Sequence, residues 1–438
     1  MIQLQALAER VRGSLFWVPM LFVAVASALA WLVLRLDVAF VDDLGRTPLL
    51  VSTTVDSARS LLSTIAGATI TVAGIVFSVT VVSVQLASSQ YSPRVLRNFL
   101  RDRFQQRVIG VVVATFTYCM FVLASIRLPE PDATVEAAPS LAVTVAIVLA
   151  VVSILAIVGF IDHSARSMQA GEIIERVTAE TRSRIRSLYL PRDERRSPEP
   201  VSPSPPPLDA PKRVLRAWRS GWVQQISTDA LLRVAPPGSY LRLDTRVGAY
   251  VIEDTPILTV WGHGELDDEP LHQGFVFGRS RTMQQDVAFG IRQLVDIGLR
   301  ALSTGVNDPT TAHEVIEHLG SLLAELFQHD LPPRIHTDEE GRVLAIPDRP
   351  EHADHVDHAL DQLRVAAAGQ PAVLVDLLAT IRSLDELLAD LGLDHHRPQL
   401  RAHIRLIVEA VEFGSLAPAD RHRVLAAVPS LRDGEGER

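Results

Sequence analysis

Long apolar stretches alternate with short polar segments through the first 161 residues of the chain. Four stretches, residues 14–34, 60–93, 108–126 and 140–161, contain no Asp, Glu, Lys or Arg. About 20 such residues allow a helix to cross the roughly 30 Å hydrocarbon core of a bilayer. Because these stretches are apolar on every side, unlike the one-sided helices of soluble proteins, the pattern predicts four transmembrane helices.

The first stretch also has features of a secretory signal peptide. Arg10 and Arg12 precede it, and Ala28-Leu29-Ala30 resembles a cleavage site. The apolar run continues beyond that site to Leu36, however, which favours an uncleaved membrane span.

The distribution of arginine predicts which helix ends face the cytoplasm. The segment between the second and third stretches carries five arginines and one acid, and the segment after the fourth is also rich in arginine. The other two connections are rich in Asp and Glu. Because arginine is enriched on the cytoplasmic side, we expect a multi-pass protein of the bacterial inner membrane with both termini in the cytoplasm.

Small and polar residues recur along the second stretch at the spacing of one helix face. They are Thr64, Gly67, Thr71, Gly74, Ser78 and Gln85, with Ser60 and Ser88 at the ends. Small residues let helices approach closely and hydroxyl groups can hydrogen-bond between them, so the stripe can be a packing seam. It can also line a hydrated pathway around an oligomer axis. The sequence leaves both interpretations open.

A basic amphipathic segment follows the second stretch. The helix is expected to break near Tyr91 and Pro93 and to restart over residues 95–107, whose apolar side chains share one face. Arg94, Arg97 and Arg101 lie outside that face. This pattern predicts a helix at the membrane interface, beneath anionic headgroups.

The remaining chain predicts a cytoplasmic α+β region, so the expected fold class is a mainly α membrane protein. The fourth helix is expected to continue as a stalk, which makes residues 1–190 one domain. Residues 191–211 contain eight prolines and predict an extended linker. Residues 212–264 predict a small β module similar to the barrel-sandwich modules that carry biotin or lipoate, although no lysine occupies its turn. Residues 265–438 predict a helical domain.

Two polar clusters in that helical domain are candidates for a site. A helix is predicted over residues 282–302 and a second one after an N-cap and proline at 307–309. The candidate polar residues are Asp286, Arg292, Asp296, Asn307 and Asp308, which either cap and solvate these helices or converge on one site. The histidines His352, His355 and His358 have a spacing that invites a metal site, but a solvated helix is favoured.

The composition excludes several kinds of chemistry. Cys119 is the single cysteine and Lys212 the single lysine, beside 41 arginines. Intrachain disulfides, Cys-rich metal sites, lysine-tethered cofactors and a Walker-type phosphate loop are therefore excluded. The net charge is +2 over residues 1–211 and −11 over residues 212–438. The acidic C-terminal half argues against a nucleic-acid partner.

A resemblance to a known family supports this architecture. The stretches 75–80 and 85–94 resemble the core of a bacterial family of predicted membrane proteins, the domain of unknown function 2254. Residues 285–297, 301–303 and 307–312 are similar to further stretches of that family. The resemblance implies location and architecture, and it implies no biochemical activity.

The sequence therefore predicts a membrane protein and not an enzyme, with no catalytic residues, metal or cofactor. The leading expectation is a homo-oligomeric channel or transport-like protein with a cytoplasmic regulatory domain. The alternative is a non-transporting receptor or scaffold whose cytoplasmic domain binds a partner or metabolite. The expected partners are the lipid bilayer, further copies of the chain and, in the alternative, a cytoplasmic partner.

Overall fold

A computed structural model of the chain describes residues 17–39, 54–90, 102–126, 139–167, 169–192, 210–264 and 266–428. These residues divide into two compact units, one ending at Gln169 and the other beginning at Ala170. The predicted domain 1–190 thus extends beyond Gln169, the end of the first compact unit.

The described residues of the first unit form four long apolar helices. They are α1 (Trp17–Ala39), α2 (Val55–Gln90), α3 (Arg103–Ser125) and α4 (Ser140–Ser167). All four are long and apolar enough to cross a membrane, which confirms the prediction of four candidate membrane-spanning helices. Helix α3 contacts the other three helices and is the most buried of the four. The predicted interfacial residues Tyr91, Pro93, Arg94, Arg97 and Arg101 lie outside the described residues.

A buried carboxylate ties α1 to the start of α4. Asp37 is only 9% exposed, and its two oxygens accept hydrogen bonds from the backbone N–H groups of Leu141 (3.0 Å) and Ala142 (2.8 Å). The hydroxyl of Tyr118 on α3 donates to the carbonyl of Ala142 over 3.1 Å. A carboxylate satisfies the free N–H groups at a helix N-terminus and complements its dipole. Asp37 is therefore part of the packing and not a free acidic loop residue.

The second unit combines helices with three small sheets. Its helices are α5 (Ala170–Leu188), α6 (Thr228–Val234), α7 (Asp268–His272), α8 (Val287–Ala301), α9 (Pro309–Phe327), α10 (His352–Ala366), α11 (Pro371–Asp390), α12 (Arg397–Phe413) and α13 (Pro418–Ala426), with a 3₁₀ turn at Asp394–His396. Its strands are β1 (Leu190–Pro191), β2 (Lys212–Arg216), β3 (Gly221–Ile226), β4 (Tyr240–Leu243), β5 (Tyr250–Val251), β6 (Pro256–Trp261), β7 (Phe275–Gly278), β8 (His329–Asp330), β9 (Ile335–Thr337) and β10 (Val343–Ala345).

The sheets draw strands from beyond the predicted β module. The five-stranded sheet has the order β2-β6-β4-β10-β9, and the three-stranded sheet has the order β5-β3-β7. Strand β10 pairs parallel to β4, while the other neighbours in these two sheets are antiparallel. Apolar residues of both sheets form one buried cluster that includes Leu215, Val223 and Phe277. Residues 212–264 thus supply only part of this β region, and a barrel-sandwich arrangement is not confirmed.

The predicted stalk is instead a helix of the second unit. Helix α4 ends at Ser167, and α5 begins separately at Ala170. One face of α5, which includes Ile174 and Ile185, is fully buried against α8 and α9. A Cβ atom placed on Gly290 would overlap the side chain of Thr181, which shows how closely α5 and α8 approach. Helix α5 therefore packs against α8 and α9 because burial stabilises its apolar face, and it does not form a separate stalk.

Candidate functional site

A cavity of about 330 Å³ lies within the second unit, where the sheets meet the ends of several helices. Its wall is formed by Leu188, Tyr189, Ile226, Thr228, Leu243, Arg246, Val247, Gln285, Asp286, Val287, Ala288, Leu331, Pro332, Pro333, His336, Ile346, Asp348, Arg349, Pro350 and His355. Ligand pockets in proteins have volumes of about 300–1,000 Å³ and mostly apolar walls with a few polar groups. The size and lining of this cavity fit that description.

The start of α8 supplies two polar residues whose hydrogen bonds are already made. Gln285 accepts from the backbone N–H of Ile226 (2.9 Å) and donates to its carbonyl (3.3 Å). Asp286 caps α8 by accepting from the N–H of Phe289 (3.0 Å), and Arg281 donates to its other oxygen over 2.7 Å. This cap explains why α8 begins at residue 287 and not at the predicted residue 282.

The acids of the wall also have partners. Burial raises the pKa of Asp286, and the charge and hydrogen bond of Arg281 act in the opposite direction. Arg246 and Asp348 form an exposed ion pair of 3.1 Å at the wall. The two carboxylates of the cavity are thus each matched by an arginine.

Arg349 and His355 differ from these residues because they retain unused hydrogen-bonding atoms. Nε and Nη1 of Arg349 are buried and have no hydrogen-bond partner among the described residues. Both ring nitrogens of His355 are also buried without a hydrogen-bond partner among the described residues, and this residue is 2% exposed. An unsatisfied buried polar group typically costs about 1–3 kcal/mol, and no described residue offsets that cost for these atoms.

Burial keeps the imidazoles of the wall neutral near pH 7. Burial, followed by the charges of His352 and His358, lowers the pKa of His355 to about 4. Burial likewise lowers the pKa of His336 and raises that of the Tyr189 hydroxyl. Burial, followed by the charge of Arg334, lowers the pKa of Arg349 below the usual range of an arginine. An arginine nevertheless stays protonated at neutral pH.

The structure distributes the predicted polar residues along α8. Asp286 caps the first turn of this helix and lines the cavity. Arg292 pairs with Asp296 at 2.6 Å and donates to Gln362 of α10. The backbone N–H of Asp308 bonds to the carbonyl of Ala301 at the other end of α8, and 15 helical residues span about 22 Å. The structure therefore brings Arg292 and Asp296 together but separates Asp286 from the 307–308 turn.

The turn at residues 307–309 begins α9, as the sequence predicts. Asp308 accepts hydrogen bonds from the backbone N–H (3.1 Å) and the hydroxyl (2.6 Å) of Thr311, and Pro309 occupies the first helical position. Asn307 has a φ of +50°, a left-handed conformation that asparagine tolerates better than most residues. Its side chain accepts from Gln370 over 3.2 Å.

The histidine row of α10 is not on a solvated face. His352 and His355 are both buried, and the ring of His352 packs against Phe327 and against His396 of the 3₁₀ turn. The expectation of a solvated helix is wrong here because the apolar face of α10 includes these histidines. Among the described residues, no group of three or more His, Cys, Asp or Glu side chains has the arrangement of a metal site.

The polar positions of α2 lie on the outer surface of the four-helix unit. We refer to Thr64, Gly67, Thr71, Gly74, Ser78 and Gln85 as the α2 stripe. All six residues are exposed. The hydroxyl groups of Thr64, Thr71 and Ser78 donate to carbonyls of their own helix, one turn back. The stripe is therefore not a seam between helices of the same chain.

Sequence reasoning missed most of the cavity wall. The sequence pattern did not indicate Arg349 as a site residue. It indicated His355 only as one of three histidines with the spacing of a metal site. The available signal was a short polar segment bracketed by Pro347 and Pro350, close in sequence to strand β10. That signal alone does not show which other segments face Arg349.

Comparison with known proteins gives one family. The model of the family described as "Predicted membrane protein (DUF2254)" matches residues 12–383. Uncharacterized proteins of Mycobacterium bovis and Mycobacterium tuberculosis are 34% identical to this chain over 382 residues, which cover 84% of this chain and 71% of each relative. No solved structure matches the chain.

Proposed function

This chain belongs to the DUF2254 family of predicted membrane proteins, and we propose that it forms a homo-oligomeric channel or transport-like protein of the bacterial inner membrane. The α2 stripe lies near the oligomer axis, and the residues from 170 onward act as a cytoplasmic regulatory domain. The observation that carries the proposal is the exposure of all six stripe residues on the surface of the four-helix unit.

The four-helix unit buries some of its other polar groups, unlike those of the stripe. Thr115 of α3 and Ser153 of α4 are both buried, and their hydroxyl oxygens lie 2.8 Å apart. On α2, by contrast, Gly67 and Gly74 have open space where a Cβ atom would stand. Glycine and hydroxyl groups make no favourable interaction with the hydrocarbon tails of lipids. They can pack closely or hydrogen-bond against a neighbouring helix or water. The exposed stripe thus supports contact with a second copy of α2.

Cysteine variants of α2 test this proposal. We expect Thr71→Cys and Ser78→Cys, each in a Cys119→Ala background, to form disulfide-linked dimers on mild oxidation in membranes. We also expect both to react with small membrane-impermeant thiol reagents, because the stripe borders water in a channel. Modification should then alter solute flux into liposomes that contain the purified protein.

Val79→Cys is the matched control for these variants. Val79 is exposed, adjacent to Ser78 in sequence, and about 100° around the helix from it. It should cross-link and react much less than Ser78→Cys. Cross-linking without reagent access would indicate a dry seam and exclude the channel, and equal behaviour of positions 78 and 79 would exclude the stripe as an interface.

The proposed orientation puts both termini in the cytoplasm, on the evidence of the arginine-rich connections. A reporter enzyme that is active only in the periplasm should therefore show activity when it is fused after Arg46 or Asp132. A reporter that is active only in the cytoplasm should show activity when it is fused after Arg103 or Asp209. A periplasmic signal from the Asp209 fusion would contradict the four-span topology.

A receptor without transport is the second candidate, and the cavity of the second unit favours it. Arg349 and His355 line a space of ligand size, and both have side-chain nitrogens without a hydrogen-bond partner among the described residues. In this alternative, a small cytoplasmic molecule binds there and changes the association of the membrane helices. Ligand-dependent cross-linking without flux would distinguish this receptor from a channel.

A further inference from the structure

The charges of the cavity wall leave one arginine without a matching acid. Asp286 pairs with Arg281 at 2.7 Å, and Asp348 pairs with Arg246 at 3.1 Å. Two charged residues outside the wall, Arg334 and Glu351, act on Arg349 but form an ion pair with each other. The wall itself has two arginines and two aspartates, and Arg349 is the arginine among them that has no ion-pair partner in the described residues.

The rest of the wall determines the shape of an occupant. Side chains of Leu188, Leu243, Val247, Leu331 and Ile346 line the cavity together with three prolines. Such a surface stabilises apolar groups by about 0.8 kcal/mol for each buried CH₂. An occupant that satisfies both parts of the wall carries one negative charge on an apolar body.

The structure assigns to this cavity a small organic monoanion, namely a carboxylate that Arg349 binds, attached to a short apolar chain. This inference rests on the ligand-binding role proposed for the second unit and names the class of its ligand. A guanidinium binds a carboxylate through charge-assisted hydrogen bonds, and these are roughly twice as strong as neutral ones. Arg349 lines the cavity and is partly exposed, and its guanidinium forms no ion pair with a described residue.

The neighbours of Arg349 discriminate against more highly charged anions. His355 offers no second positive charge near pH 7, because burial lowers its pKa to about 4. The carboxylates of Asp286 and Asp348 also line the wall and repel additional negative charge.

Titration of the purified full-length protein in nanodiscs with hexanoate tests the assignment. Isothermal calorimetry should show saturable binding of one hexanoate per chain, together with an increased melting temperature. Butyrate should bind roughly tenfold more weakly because it lacks two CH₂ groups. Hexanol, hexylamine and inorganic phosphate should neither bind at this site nor displace hexanoate.

Variants connect the binding to the cavity. Arg349→Gln should weaken hexanoate binding by about tenfold or more, since it removes charge-assisted hydrogen bonds. Ala288→Phe, which narrows the cavity without changing its charge, should also abolish binding. Arg213→Gln is the control, because Arg213 pairs with Asp268 on the surface, outside the cavity wall. It should bind hexanoate normally, and all three variants should be compared by their unfolding transitions.

Four results would overturn the assignment. They are absence of binding by every carboxylate, equal binding of phosphate and hexanoate, displacement of hexanoate by hexanol, and unchanged binding by a folded Arg349→Gln. Failure of the receptor proposal gives a different result. In that case hexanoate binds and depends on Arg349, but it leaves the cross-linking of Ser78→Cys unchanged.

Discussion

Ile185→Ala should lower the free energy of unfolding of the second unit by about 2–5 kcal/mol, the usual cost of truncating a fully buried isoleucine. Ile185 is 0% exposed on α5. Its helix packs against α8 and α9, so truncation leaves a cavity among three helices. Chemical denaturation of the full-length protein, followed by tryptophan fluorescence, measures the change.

The placement of the tryptophans makes this measurement specific to the second unit. Replacing Trp17 and Trp31 by phenylalanine leaves Trp218, Trp222 and Trp261 as reporters, all of them in the β region. Ser183→Ala is the control, because Ser183 is exposed on the same helix. Its effect should be within about 0.5 kcal/mol. Equal, small effects of both substitutions would instead favour a projecting stalk helix.

Acidification from pH 6.5 to pH 4 should destabilise the second unit, and His355 should contribute on the order of 3 kcal/mol of that loss. The pKa of His355 is lowered from 6.5 to about 4 in the folded protein, mainly by burial. The unfolded chain therefore binds a proton in this range that the folded chain does not. Stability is fully present above the unfolded pKa and falls as the pH drops toward the folded pKa.

Comparison with His355→Leu isolates this contribution. The pKa values of His352, His358 and His396 are also lowered by burial, so the variant should retain part of the acid sensitivity. The raised pKa of Asp286 acts with the opposite sign in both proteins. His422→Leu, at an exposed position of α13, should follow the unchanged protein. If the free energy of unfolding fell equally with pH in His355→Leu and in the wild-type protein, His355 would not contribute to the acid sensitivity.

Elements whose formation depends on local properties could be predicted from the amino-acid sequence alone. Uncharged stretches of about 20 residues suffice for membrane-spanning helices, because a helix satisfies its own backbone groups in hydrocarbon. The start of α9 was equally predictable, since Asp308 caps the helix and Pro309 suits its first turn. Such features need no knowledge of what packs against them.

Which segments contact one another depends on long-range packing, which the local sequence pattern does not reveal. The apolar face of α5 is compatible with either a stalk or a core helix, and contact with α8 and α9 makes it part of the second unit. Strand β10 joins β4 across about 100 residues of sequence, a pairing without a local signature. The cavity likewise combines Tyr189, Asp286 and Arg349 from distant segments. Its single unmatched charge arises because packing supplies partners to both acids of the wall and not to Arg349.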